Sequence, residues 1–65
     1  MPTLRLLDGN GYVVPRTDRT VTTDADRAAV TAELDGIAEA HAAELRSHGF
    51  RCQARDYRIV TLPAA

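Results

Sequence analysis

The sequence predicts a small α+β domain of order ββαβ, with an N-terminal hairpin, one long amphipathic helix packed on one face of a mostly antiparallel sheet, and a long final strand. Three observations predict it. Two β-rich runs flank Asp8-Gly9-Asn10-Gly11, apolar residues recur at helical spacing from Val30 to Leu45, and an alternating segment follows Gly49.

Thr3 to Leu7 is the first strand and Tyr12-Val13-Val14 the second. Between them, DG and NG are overlapping turn dipeptides, the strongest short-range hairpin signal. A two- or four-residue loop would put Leu4, Leu6 and Val13 on one face, whereas a three-residue loop gathers Leu4, Leu6, Tyr12 and Val14. The second face is the more apolar and is the register adopted, since a one-residue slip turns every side chain over. Pro15 has no N–H for a ladder, so the second strand is an edge there or ends there. Arg16 to Thr22 is polar but rich in Thr and Val, and reads as extended.

The helix begins near Thr23 or Asp24. Thr23 followed by Asp26 resembles a capping box, with Asp in place of the usual Glu or Gln. Asp24 and Asp26 also suit the positive end of the helix dipole. Val30, Leu34, Ile37, His41 and Leu45 recur at spacings of four and three and form one packing stripe. Gly49 ends the helix, with Arg46 and His48 in the last turn. The helix is then about 25 residues, or roughly 37 Å. Gly36 sits off the stripe and costs about 1 kcal/mol relative to Ala.

Phe50 to Leu62 reads as one long strand, bent by a bulge near Arg55-Asp56 where the apolar phase changes, and closed by Pro63; a tight hairpin there would make a fourth strand instead, but no Gly or Asn supports that turn. At 3.3 Å per residue it would span roughly 40 Å, matching the helix and far exceeding the first strand. Half of the helix stripe would then lack cover from its own chain, and a second copy could supply it. A right-handed crossover of the helix over the first strand favours the order 2-1-3.

The chain has 65 residues, enough for one domain over 1–65. A domain this small buries only about 60% of its unfolded surface. Much of its 45% hydrophobic content is alanine, and its aromatics are Tyr12, Phe50 and Tyr57. Cys52 is alone, so no internal disulfide staples the fold. The apolar start of the chain is too short for a signal or a membrane span, and the expected location is cytoplasmic, without a membrane. All eight basic residues are arginine, a usage that points to a GC-rich bacterial or phage genome.

Candidate chemistry is sparse. His41 and His48 lie seven residues apart, about 10 Å along a helix, too far for one metal ion. His48 with Cys52 lacks the further ligands that zinc needs and the orienting group that a nucleophile needs. Gly9-Asn10-Gly11 leads into a strand and not into a helix, which excludes a phosphate loop. No catalytic residue, metal or cofactor is expected.

Charge layout is more informative. Asp24 through Glu44 holds six acids and one arginine, while the rest of the chain holds seven arginines and three acids. Arg51, Arg55, Tyr57 and Arg58 cluster in the final segment as candidate contacts to a partner or an anion. The expected function is a non-enzymatic protein-interaction module, homodimeric, acting as a regulatory or inhibitory accessory protein on a larger protein partner. The alternative is a nucleic-acid-binding module using that basic face.

Overall fold

The computed structural model describes residues 2–62. Its elements are β1 (Thr3–Leu7), β2 (Arg19–Thr20), α1 (Asp24–Ser47), a 3-10 turn (Ala54–Asp56) and β3 (Arg58–Leu62). The fold is α+β as the sequence predicts. Helix α1 packs against a three-stranded antiparallel sheet of order β2-β1-β3.

The hairpin closes through a three-residue loop. Asp8 N donates to Tyr12 O at 2.9 Å and Gly11 N to Asp8 O at 3.0 Å, and Leu7 bridges to Val13. Gly11 has a φ of 87°, the left-handed residue that follows a type I turn in such a loop. The Asp8 carboxylate accepts from the N–H groups of Asn10 and Tyr12 at 2.9 and 3.0 Å. Leu4, Leu6 and Val14 are buried. Tyr12 shares their parity but stands 72% exposed at the loop end of the hairpin.

The expected second strand, Tyr12-Val13-Val14, is reduced to the single bridge of Val13 to Leu7, because beyond Val14 the chain leaves the ladder. Val14 N donates to Leu6 O at 3.0 Å, so regular pairing would bring Arg16 opposite Leu4. Arg19 is there instead, and the chain takes three extra residues around Pro15–Asp18. Arg16 adopts a φ of 65°, and Arg19 Nη1 holds its carbonyl at 2.9 Å. A left-handed conformation costs a residue with a Cβ about 1 kcal/mol.

Thr17 fills the resulting hole. Its Oγ1 accepts from Leu6 N at 3.2 Å and donates to Val14 O at 2.7 Å, and the residue is 1% exposed. The hydroxyl takes the place of a direct backbone bond from Leu6 to Val14. On the outer side, Arg5 grips the Asp18 carboxylate through two nitrogens at 2.7 and 2.8 Å. That pairing holds the Asp18 carboxyl below its usual value. Of the stretch expected to be extended, only Arg19–Thr20 forms a strand, because the loop-out uses up the rest.

Helix α1 is capped at both ends. Thr23 Oγ1 accepts from Asp26 N at 3.0 Å. The Asp26 carboxylate returns to Thr22, accepting from its N–H at 3.3 Å and from its hydroxyl, one residue further back than a capping-box partner. These bonds lower the Asp26 pKa. At the other end, Phe50 N reaches Leu45 O and Gly49 N reaches Arg46 O, at 3.1 and 3.0 Å, around a glycine with φ 91°. This is the Schellman termination. The buried line of the helix is Leu34, Ala38 and Ala42, with Val30, Ile37, His41 and Leu45 half-buried. Two of the three fully covered positions are alanines outside the expected stripe, so the core has few large side chains.

The long final strand is corrected. Phe50–Gln53 is irregular, Ala54–Asp56 is a 3-10 turn, and β3 has five residues. The reason lies in the phase change. Ala54 and Tyr57 both pack against the core, and positions three apart share a side in a 3-10 turn but not in a strand. Asp56 N→Gln53 O and Tyr57 N→Ala54 O, at 3.0 and 3.1 Å, build the turn. The segment therefore folds back on the C-terminal half of α1, where Arg46 Nη1 donates to Cys52 O at 2.8 Å. The part of the helix left uncovered is its first turns, Asp24 to Ala29. The expected strand end at Pro63 lies outside the described residues.

Two outcomes are expected. Thr17→Val, nearly the same shape, leaves Leu6 N–H and Val14 C=O buried without partners and destabilises the fold by about 2 kcal/mol in urea unfolding, while Thr17→Ser loses less. Asp18 and Asp26 have lowered pKa values when folded, so their stabilisation is present above the ordinary carboxylate value and lost as pH falls through the folded value. Melting temperature should fall on acidification below about pH 4, and Asp26→Asn should flatten that fall.

Candidate interaction surface

Residues paired across an antiparallel ladder point to the same face. Leu4 and Leu6 face α1, and so do their β3 partners Thr61 and Ile59. The opposite face carries Thr3 with Leu62, Arg5 with Val60, and Leu7 with Arg58 and Val13. No element among the described residues packs on this outer side. Leu7, Val60 and Leu62 are half-buried and Val13 is 50% exposed, with the Arg5–Asp18 pair among them. The parity switch at the 3-10 turn puts Tyr57 and Ile59 toward the helix, and Val60 and Leu62 outward.

The two edges of the sheet differ. Val21 N bonds Pro2 O and Val14 N bonds Leu6 O, so the even-numbered residues of β1 turn their backbone groups to the β2 side. The odd-numbered residues therefore serve β3, through Arg58, Val60 and Leu62. The N–H and C=O groups of Ile59 and Thr61 point to the outer edge, and no bond to them is found among the described residues. At the other edge, β2 has two residues and sits beside the Pro15–Asp18 excursion, features that blunt strand pairing.

The arginine cluster does not form one face. Arg51 lies in the irregular segment, Arg55 in the 3-10 turn, and Arg58 is the first residue of β3. All three are exposed. Tyr57 turns the other way, half-buried, because the 3-10 turn places it beside Ala54 against the helix. Its ring meets His41 edge-on, with centroids 5.6 Å apart and planes at 73°. The Tyr57 hydroxyl hydrogen-bonds His41 Nδ1 and lies 3.2 Å from Cys52 Sγ. Burial, with help from Cys52, pushes the Tyr57 pKa well up. His48, considered with Cys52 from the sequence, instead meets Glu44, with Nε2 3.1 Å from Oε1. The His41–Tyr57–Cys52 chain had no local signal, since its members are 16 and 5 residues apart.

A cleft of about 230 Å³ opens between the hairpin loop and the segment after α1, lined by Gly9, Asn10, Leu45, Phe50, Cys52 and Asp56 among others. It is smaller than the roughly 300–1,000 Å³ of ordinary ligand pockets. Among the described residues, no group of three or more His, Cys, Asp or Glu side chains is placed to hold a metal ion. No helix among them is long and apolar enough to cross a membrane. No protein-family model, curated protein or solved structure matches the chain.

Tyr57→Phe removes the hydroxyl shared by His41 and Cys52 and should cost about 1 kcal/mol in urea unfolding near neutral pH. The raised Tyr57 pKa means the folded state holds this proton more tightly, so its stabilisation is present below the ordinary tyrosine value and lost as pH rises past about 10. The Phe variant should lack that alkaline loss.

Proposed function

We propose that this chain is a non-enzymatic protein-interaction module that works as a homodimer, an accessory protein that regulates or inhibits a larger partner in the cytoplasm. The observation that carries this reading is the one-sided sheet. One face is covered by α1, while on the other, among the described residues, no layer lies over Leu7, Val13, Val60 and Leu62, next to an edge that is unpaired among them.

Energetics support the same reading. The fully covered apolar residues are Leu4, Leu6, Val14, Val21, Leu34, Ala38 and Ala42, a small core with no aromatic in it. A core of this size supplies little stability by itself, and unstapled small domains commonly gain the rest by oligomerisation. The cleft is too small to shape a site for a substrate of ordinary size. The basic-face alternative for nucleic acid loses Tyr57, which is turned into the helix, and keeps only Phe50, 62% exposed beside Arg51, as a stacking platform.

Light scattering coupled to size exclusion, at micromolar concentrations, should give twice the chain mass, with a concentration-dependent melting temperature. A monomer at every concentration, with a cooperative melt, overturns the homodimer.

A further inference from the structure

The geometry points to a specific partner surface: a second copy of this chain adds its β3 antiparallel to the outer edge of β3, with a twofold axis at Val60, joining two sheets into one of six strands. This rests on the homodimeric reading and specifies its interface.

The edge itself selects the occupant. β3 pairs with β1 at every residue from Arg58 to Leu62 without a bulge. It carries no proline and no lysine, and its one charge, Arg58, belongs to the outer face. The devices that proteins use to blunt an edge are thus spent on β2, and β3 remains a regular template for another strand. An antiparallel edge is self-complementary, as a twofold interface requires.

The register follows from which backbone groups are free. The N–H and C=O groups of Ile59 and Thr61 point to the outer edge, so these residues must form the hydrogen-bonded pairs with the second strand. Pairing Ile59 with the other copy's Thr61, and Thr61 with its Ile59, satisfies both N–H and both C=O groups of each strand. Centring the axis on Thr61 would instead put Ile59 opposite Pro63, which has no N–H to give. Centring it on Ile59 would pair Thr61 with Tyr57, whose N–H is already bonded to Ala54 O at 3.1 Å. Only the register centred on Val60 uses every free group.

Side chains agree with this register. Arg58 falls opposite the other copy's Leu62, so the two Arg58 side chains do not face each other across the strands. On the outer face, Val60 meets its own copy in a non-hydrogen-bonded pair, where side chains come closest. Leu62 and Val60 of both copies then form one continuous apolar row.

Cysteine cross-linking of the full chain in a Cys52→Ser background tests this. Non-hydrogen-bonded pairs have Cα atoms about 4.5 Å apart, within the roughly 4.4–6.8 Å range of disulfides. Val60→Cys should oxidise to a covalent dimer. Arg58→Cys and Leu62→Cys should each stay uncrosslinked alone and cross-link when mixed. Thr61→Pro removes an outward N–H without touching the β1 ladder, and should weaken the dimer at least tenfold while the monomer still folds. A dimer that Thr61→Pro leaves intact, or in which Val60→Cys fails to cross-link, overturns this interface and leaves the interaction reading standing. A monomeric parent protein overturns both.

Discussion

The hydroxyl of Thr17 holds the middle of this fold together. β1 is the central strand, paired with β2 on one side and β3 on the other, and covered by α1 on one face. Its ladder to the second strand is interrupted where the chain loops out at Pro15–Asp18. A gap there would leave Leu6 N–H and Val14 C=O buried and unpaired, at about 1–3 kcal/mol for each group. Thr17 Oγ1 bonds both, at 3.2 and 2.7 Å. The detour can therefore be kept without opening the core.

The detour has consequences along the chain. It advances the pairing by three residues, so that Arg19 and not Arg16 faces Leu4. Val21 then lands in the core and bonds Pro2 O, and Thr23 follows at the start of α1 as its cap. It also shortens β2 and brings Asp18 to Arg5 and Arg19 to Glu33 of the helix, the latter pair at 3.1 Å. Such exposed pairs are each worth about 0–1 kcal/mol. Their effect is to place part of the arginine excess against the acidic helix, so the separation of charge along the sequence is partly cancelled in space.

The same asymmetry leaves one edge short and blunted and the other, among the described residues, regular and unpaired. The helix and the segment after it cover one side of the sheet, while no element among the described residues covers the reverse. A polar reverse face would need no layer. This one alternates apolar and charged positions, with Leu7, Val60 and Leu62 only half-exposed around the Arg5–Asp18 pair. Burying the apolar members while keeping the ion pair hydrated suits a surface joined mainly through its edge.

Local rules made the hairpin and the helix legible. Asp8-Gly9-Asn10-Gly11 carries its turn chemistry within four residues, and both helix caps are written within three or four residues of the ends they close. The fold class followed, and the handedness of crossovers favoured the order 2-1-3 without fixing it. The final segment was different. The phase change after Ala54 was visible in the sequence, but a bulge and a 3-10 turn both produce one, and packing on α1 chose the turn. That choice moved Tyr57 from among the arginines to His41 and Cys52, and turned Val60 and Leu62 outward. The sequence alone determined where the chain bends and where the helix begins and ends, because those signals act over a few residues. Tertiary structure decided which side chains share a face and which edge stays open, because those depend on contacts between residues distant in sequence that no local pattern records.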